Sequence, residues 1–72
     1  MFIYDVLLND ELVGDSGDEI FDTKAEAQAD ADDLIISALE DECKKPYSAF
    51  EIVFYESCDN GITYTRKGDI HG

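Results

Sequence analysis

One segment near the middle of the chain has the pattern of a single long helix, and it limits the possible folds more than any other feature. The segment opens with Thr23-Lys24-Ala25-Glu26, a capping-box pattern in which the threonine hydroxyl and the glutamate carboxylate bind amides of the first turn. Five apolar residues at helical spacing predict one buried face: Ala27, Ala31, Leu34, Ile35 and Ala38. Lys44 and Lys45 suit a helix C-terminus, and Pro46 stops the helix. We therefore predict a helix over about residues 24–43.

The residues before this helix predict a β-hairpin. Residues 2–8 alternate, and one face carries Phe2, Tyr4, Val6 and Leu8. Turn residues at 9–11 lead into a short return strand at residues 12–13. Residues 20–21 are apolar enough to extend or resume that strand.

The residues after the helix predict a second hairpin. Residues 49–56 alternate, with Phe50, Ile52 and Phe54 on one buried face. Asn60-Gly61 is a strong hairpin-turn signal because both residues tolerate positive φ, and residues 62–65 are expected to be the returning strand. The polar residues 67–72 are expected to form a frayed tail.

These elements occur in the order ββαββ. The fold class is therefore predicted as α+β, a four-stranded antiparallel sheet with one helix packed on one face, forming a single compact domain over residues 1–72. The first and third strands are the most apolar and are expected to be the central pair.

The charge of the chain is its most unusual property. Eighteen acidic residues against five basic ones give a formal net charge of −13 on 72 residues. A small domain needs a magnitude of only about 2–8 for solubility, and the excess destabilises the fold by self-repulsion. Such a surface repels nucleic acid and anionic lipid, so we expect no direct binding to either, and it attracts basic proteins. A hydrophobic content of 44% nevertheless predicts a folded domain and not an acidic tail.

No catalytic, cofactor or metal-binding pattern is present, and we expect no enzymatic activity and no cofactor. Phosphate-binding glycine loops and nucleophile elbows are missing from the sequence. Cys–His catalysis would need Cys43 or Cys58 beside His71, next to the chain end, and the two cysteines are interpreted as free thiols. The acidic loop at residues 15–19 lacks the ligand order of an EF-hand. With no basic N-terminal region and no long apolar run, the chain is expected to be cytoplasmic.

The acids of the predicted helix fall on one side of it. At 100° per residue they occupy a sector about 100° wide and ~28 Å long. We call this set the acidic strip: Asp22, Glu26, Asp30, Asp33, Glu40 and Asp41. No lysine or arginine lies between Lys24 and Lys44, so the repulsion between neighbouring acids is not relieved locally. Asp15, Asp18 and Glu19 continue the charge into the preceding loop. The strip is interpreted as a partner-binding surface, and the alternative is an ordinary solvated helix face.

In size, charge and its layout of two hairpins and a helix, the chain resembles the small acidic inhibitors encoded by bacteriophages and mobile elements. These include anti-CRISPR proteins, anti-restriction proteins and uracil-DNA glycosylase inhibitors, several of which imitate DNA. The resemblance implies a stoichiometric inhibitor in the bacterial cytoplasm. Its carboxylates would occupy the positions of phosphates in the groove of a basic nucleic-acid-binding protein.

A second interpretation belongs to a different functional class. A non-inhibitory adaptor or assembly subunit would bind its partner through a sheet edge and exposed aromatic residues, and its charge would serve to prevent aggregation. Tyr47, Tyr55 and Tyr64 are expected to be partly exposed. A homodimer through an edge strand is compatible with either interpretation.

Overall fold

A computed structural model describes the backbone of residues 1–71 and the side chains of residues 1–70. The chain forms one four-stranded antiparallel sheet with a helix on one face, in the order ββαββ, which confirms the predicted fold class. The strands are β1 (Phe2–Leu8), β2 (Glu11–Asp15), β3 (Phe50–Glu56) and β4 (Thr65–His71), and helix α1 covers residues 24–43. The order across the sheet is β2-β1-β3-β4, so β1 and β3 are the central pair, as predicted.

The first hairpin closes through a two-residue turn. Asn9 and Asp10 both have positive φ angles, 54° and 65°, a geometry that matches the twist of the flanking strands. After β2 the chain leaves the sheet and returns at Phe21, which pairs with Phe2 through backbone hydrogen bonds of 2.7 and 2.9 Å. Pairing with β1 therefore resumes at Phe21, as the sequence allowed.

A bulge in the pairing of β1 with β2 brings the helix close to the sheet. Val13 is the extra residue of this bulge, and it packs against the core. At Gly14, a Cβ atom would lie 3.2 Å from Leu34 Cδ2 and 3.2 Å from Leu39 Cδ1. The missing side chain of Gly14 thus allows α1 to approach β2.

Helix α1 begins and ends where the sequence predicts. The Thr23 Oγ1 accepts a hydrogen bond from the Glu26 amide at 3.2 Å. The helix is α-helical over Lys24–Leu34, widens to a π-helical turn over Ile35–Leu39, and is α-helical again over Glu40–Cys43. In the wide turn the Glu40 amide bonds to the Ile35 carbonyl, five residues back.

The π-helical turn changes which residues of α1 are buried. Four buried residues recur at intervals of four: Ala27, Ala31, Ile35 and Leu39. The regular helix predicted from the sequence placed Leu34 and Ala38 on this face instead of Leu39, and both are only half-buried. The extra residue in the wide turn rotates the residues that follow it around the helix axis. Leu39, which is larger than Ala38, therefore takes the buried position.

The second hairpin differs from the prediction. Residues 57–64 form a loop, so the strand predicted at residues 62–65 is wrong except for Thr65, where β4 begins. Asn60 and Gly61 do have positive φ angles, 58° and 86°, as the turn signal indicates, but they lie inside this longer loop.

The carboxylate of Asp59 explains why the loop is long. It accepts hydrogen bonds from the Ser57 hydroxyl at 2.8 Å, from the Thr63 amide at 2.9 Å and from the Thr63 hydroxyl. These bonds, those from Thr63 first, lower the pKa of Asp59 to about 2. Because Thr63 is held to Asp59, it is not available to pair with β3.

The predicted frayed tail is wrong as far as residue 71. Strand β4 pairs with β3 through residues 65–71, and Ile70 packs against the core. Backbone pairing with β3 and the packing of this one apolar side chain order a segment whose polar composition predicted a loose tail. Gly72 lies outside the described residues.

Candidate protein-binding surface

The acidic strip is exposed along most of its length. Five of its six residues are exposed and Glu40 is half-buried; the exposed ones are Asp22, Glu26, Asp30, Asp33 and Asp41. Among the side chains that the structure describes, the ion pairs join Arg66 and Lys67 to acids of β3 and β4, and none involves α1. The cations of the described chain therefore do not neutralise the strip.

The one lysine within α1 does not oppose this charge either. Lys24 Nζ lies 5.0 Å from the centroid of the Phe54 ring. It also lies close to Gly68 of β4: a Cβ atom placed on Gly68 would be 3.4 Å from Lys24 Nζ. The ammonium group is thus directed along β3 and β4, where it contacts an aromatic face.

On the flank of α1 nearest β2, the sheet orients one carboxylate of the strip. The Tyr4 hydroxyl donates a hydrogen bond of 2.6 Å to Asp30 Oδ2. Burial, this hydrogen bond, and the charges of Asp30, Asp15 and Asp33 all raise the pKa of Tyr4. The charges of Asp15, at the end of β2, and of Asp33 thus act on the same hydroxyl group that Asp30 binds.

On the opposite flank, Tyr47 orients two carboxylates. Its hydroxyl donates to Asp32 Oδ1 at 2.6 Å, and its backbone amide donates to Glu40 Oε2 at 2.7 Å. The π-helical turn lies between these two acids, so Glu40 sits on the flank of Asp32 and not beside Asp33. The position of Glu40 in the strip predicted from 100° spacing is therefore corrected: it lies on the flank of Asp32.

Asp32 is a member of this surface that the sequence pattern missed. It lies outside the predicted sector, and its orientation depends on Tyr47, 15 residues away along the chain. The one available signal was the position of a tyrosine directly after the residue that stops the helix, where its side chain can fold back along the last turns. Tyr47, Tyr55 and Tyr64 are all half-buried, as expected.

Neutral donors fix these carboxylates without cancelling their charge. A tyrosine hydroxyl or a backbone amide restricts the side-chain rotamer and leaves the second carboxylate oxygen for another donor. A lysine or arginine at the same place would have neutralised the group. Asp30, Asp32 and Glu40 are thus held in position by donors that carry no charge.

Alkaline titration tests the contact between Tyr47 and Asp32. The hydrogen bond to Asp32, then burial, raise the pKa of Tyr47 to about 12. A raised tyrosine pKa stabilises the fold below the unfolded pKa of about 10, and this stabilisation is lost as the pH rises towards 12. We expect Tyr47→Phe to lower the free energy of unfolding by about 1 kcal/mol at neutral pH. The difference from wild type should shrink above pH ~10. If Tyr47→Phe has as many tyrosines that resist ionisation near pH ~10 as wild type, measured by ultraviolet absorbance, the contact is contradicted.

The remaining predicted residues lie in the loop before α1. Asp18 and Glu19 are exposed, and the loop is shaped by the Gly17 amide donating to Asp15 Oδ1 at 2.8 Å and the Glu19 amide donating to the Ser16 carbonyl at 3.0 Å. No bond of the described structure joins Asp18 or the Glu19 side chain to the acids of α1. Among all the residues that the structure describes, no group of three or more histidine, cysteine or acidic side chains is placed to hold a metal ion.

The sheet face away from α1 is a second surface, and it carries Tyr55 of the alternative interpretation. Pairing places Leu7 opposite Leu12 and Ile3 opposite Tyr55 on this face, and Leu12 is 56% exposed. Asp5 lies between them, and burial together with the neighbouring Asp15 raises its pKa. This face is mixed apolar and acidic, in contrast to the acidic face of α1.

Among the described residues, no helix combines the length and the apolar character needed to cross a lipid bilayer. Comparisons with models of protein families, with curated proteins and with solved structures find no match.

Proposed function

We propose that this protein is an acidic inhibitor that uses α1 and the end of β2 to occupy the nucleic-acid-binding surface of a basic bacterial protein, such as a CRISPR effector or another defence nuclease. The observation that carries the proposal is a set of exposed carboxylates that no cation of the described chain neutralises. Arginine and lysine side chains of the partner would donate charge-assisted hydrogen bonds to these carboxylates in place of phosphates.

The spacing and rigidity of the carboxylates support this role. Acids three or four residues apart are separated by ~4.5–6 Å along the helix axis, comparable with successive phosphates of a nucleic-acid strand. Asp30, Asp32 and Glu40 are already oriented by Tyr4 and Tyr47. Binding would therefore cost less side-chain entropy than binding to freely rotating acids.

Competition with DNA tests the proposal. The protein is titrated into complexes of labelled DNA with a purified CRISPR effector nuclease, a restriction endonuclease and a uracil-DNA glycosylase. We expect displacement of DNA from at least one of them, weakened at least ~100-fold between about 50 and 200 mM salt, because the contacts are ionic. Failure to displace DNA from any of the three, or displacement that does not depend on salt, would count against mimicry.

One observation favours the second candidate function, an adaptor or assembly subunit. The sheet face away from α1 exposes Leu12 beside Leu7, and Tyr55 lies on the same face. A partner bound there would be retained at high salt, and Tyr55→Ser would release it, whereas changes to α1 would not. Self-association through this face would appear as a concentration-dependent mass in sedimentation measurements.

A further inference from the structure

The π-helical turn of α1 presents an isoleucine to solvent among the acids. Ile36 is 62% exposed, while its neighbour Ile35 is fully buried. A β-branched residue has lower helix propensity than the glutamate, lysine or alanine common on helix surfaces. At this position, therefore, neither helix propensity nor burial in the fold favours isoleucine.

Ile36 lies midway between two oriented carboxylates. Asp32 is four residues before it and Glu40 four residues after it, and Tyr47 binds both acids. Because residues four apart lie on the same side of a helix, Ile36 lies between them on this flank of α1. In an uninterrupted α-helix, Asp32 and Glu40 would be separated by about 80° around the axis. The wide turn reduces this angular separation. The Ser37 hydroxyl, in the wide turn, donates a hydrogen bond of 2.6 Å to the Asp33 carbonyl.

We infer that Ile36 is an apolar anchor of the partner interface, and that the partner offers it a hollow lined by apolar groups and bordered by arginine or lysine side chains facing Asp32 and Glu40. The inference rests on the proposed function and narrows it, since a groove that only contacts phosphates needs no such hollow. An apolar residue surrounded by polar contacts that exclude water is the common composition of an energetic centre in protein interfaces.

The charge of the chain selects this occupant over a second copy of the same protein. Two copies each carrying −13 would bring like charges together around Ile36. A basic surface with an apolar hollow is complementary to both features of the flank.

A random-peptide library displayed on phage tests the inference without knowledge of the natural partner. The library is selected at low salt on immobilised wild-type protein, with an unrelated protein of equal charge used to remove non-specific binders. We expect the enriched peptides to combine basic residues with a large apolar residue, and to bind Ile36→Ser at least ~10-fold more weakly than wild type.

The control is the other strongly exposed isoleucine, Ile62, which is 81% exposed in the loop 57–64. Ile62→Ser should bind the same peptides as wild type does. Ile36→Ala, which favours the helix, repeats the measurement if Ile36→Ser perturbs the circular dichroism spectrum.

The outcomes separate the two proposals. Basic, salt-sensitive peptides that bind Ile36→Ser as tightly as wild type would overturn the anchor and leave the proposed function standing. Enriched peptides that are neither basic nor salt-sensitive would overturn the proposed function itself. A selection without enrichment over the control protein would overturn the anchor, because an apolar centre in an acidic surface should capture peptides that the control does not.

Discussion

Exchange of Asp22, Glu26, Asp33 and Asp41 for lysine should abolish displacement of DNA and leave the fold intact. All four side chains are exposed, and none forms a hydrogen bond or ion pair in the described structure. Each exchange adds two charges, so the net charge falls in magnitude from −13 to −5. Because attraction is replaced by repulsion at four points, we expect the affinity for the basic partner protein to fall at least ~1,000-fold.

The choice of these four residues follows from the hydrogen bonds of the other two. Reversal of Asp30 would leave the Tyr4 hydroxyl without its acceptor, and reversal of Glu40 would do the same to the Tyr47 amide. Such variants would confuse loss of binding with loss of structure. The four lysines should change stability by no more than about 1 kcal/mol, since the relief of repulsion offsets the unfavourable charge near the helix N-terminus.

A pair of single variants separates position from total charge. Asp33→Lys and Glu11→Lys each change the net charge from −13 to −11, and both residues are exposed. We expect Asp33→Lys to weaken displacement of DNA at least ~10-fold and Glu11→Lys to have little effect. Equal effects would mean that the overall charge, and not the surface of α1, determines binding.

Ile35→Ala should destabilise the domain by about 2–5 kcal/mol, whereas Ile36→Ala should leave its stability nearly unchanged. Ile35 is fully buried beneath the sheet, and Ile36 is 62% exposed. A domain of this size has a total stability of roughly 4–10 kcal/mol, so the first variant should be largely unfolded at physiological temperature.

Thermal melting and urea unfolding followed by circular dichroism measure this contrast. The two variants remove the same atoms from adjacent residues, so helix propensity contributes equally to both. Similar losses of stability at both positions would contradict the burial of Ile35 and the register of the π-helical turn.

Local patterns in the sequence were sufficient for the type and order of the elements. The Thr23 cap depends on residues within one turn, and the alternation around Phe50, Ile52 and Phe54 depends on residues within one strand. Each of these signals spans only a few residues, so a single sequence reports it directly. The prediction failed after residue 57, where one carboxylate, Asp59, holds a loop that the Asn-Gly signal alone assigned to a tight turn.

The sequence by itself determined the ββαββ order, the limits of the helix and the excess of negative charge. The tertiary structure decided which carboxylates are oriented and on which side of α1 they lie. Tyr4 is 26 residues from Asp30 and Tyr47 is 15 residues from Asp32, so no local pattern reports these bonds. The π-helical turn has the same origin: packing beside Gly14 buries Leu39 in place of the smaller Ala38, an apolar gain of about 1–2 kcal/mol that favours the wider turn. That packing moves Glu40 from the predicted acidic strip to the flank of Asp32, with Ile36 between these two acids in the chain.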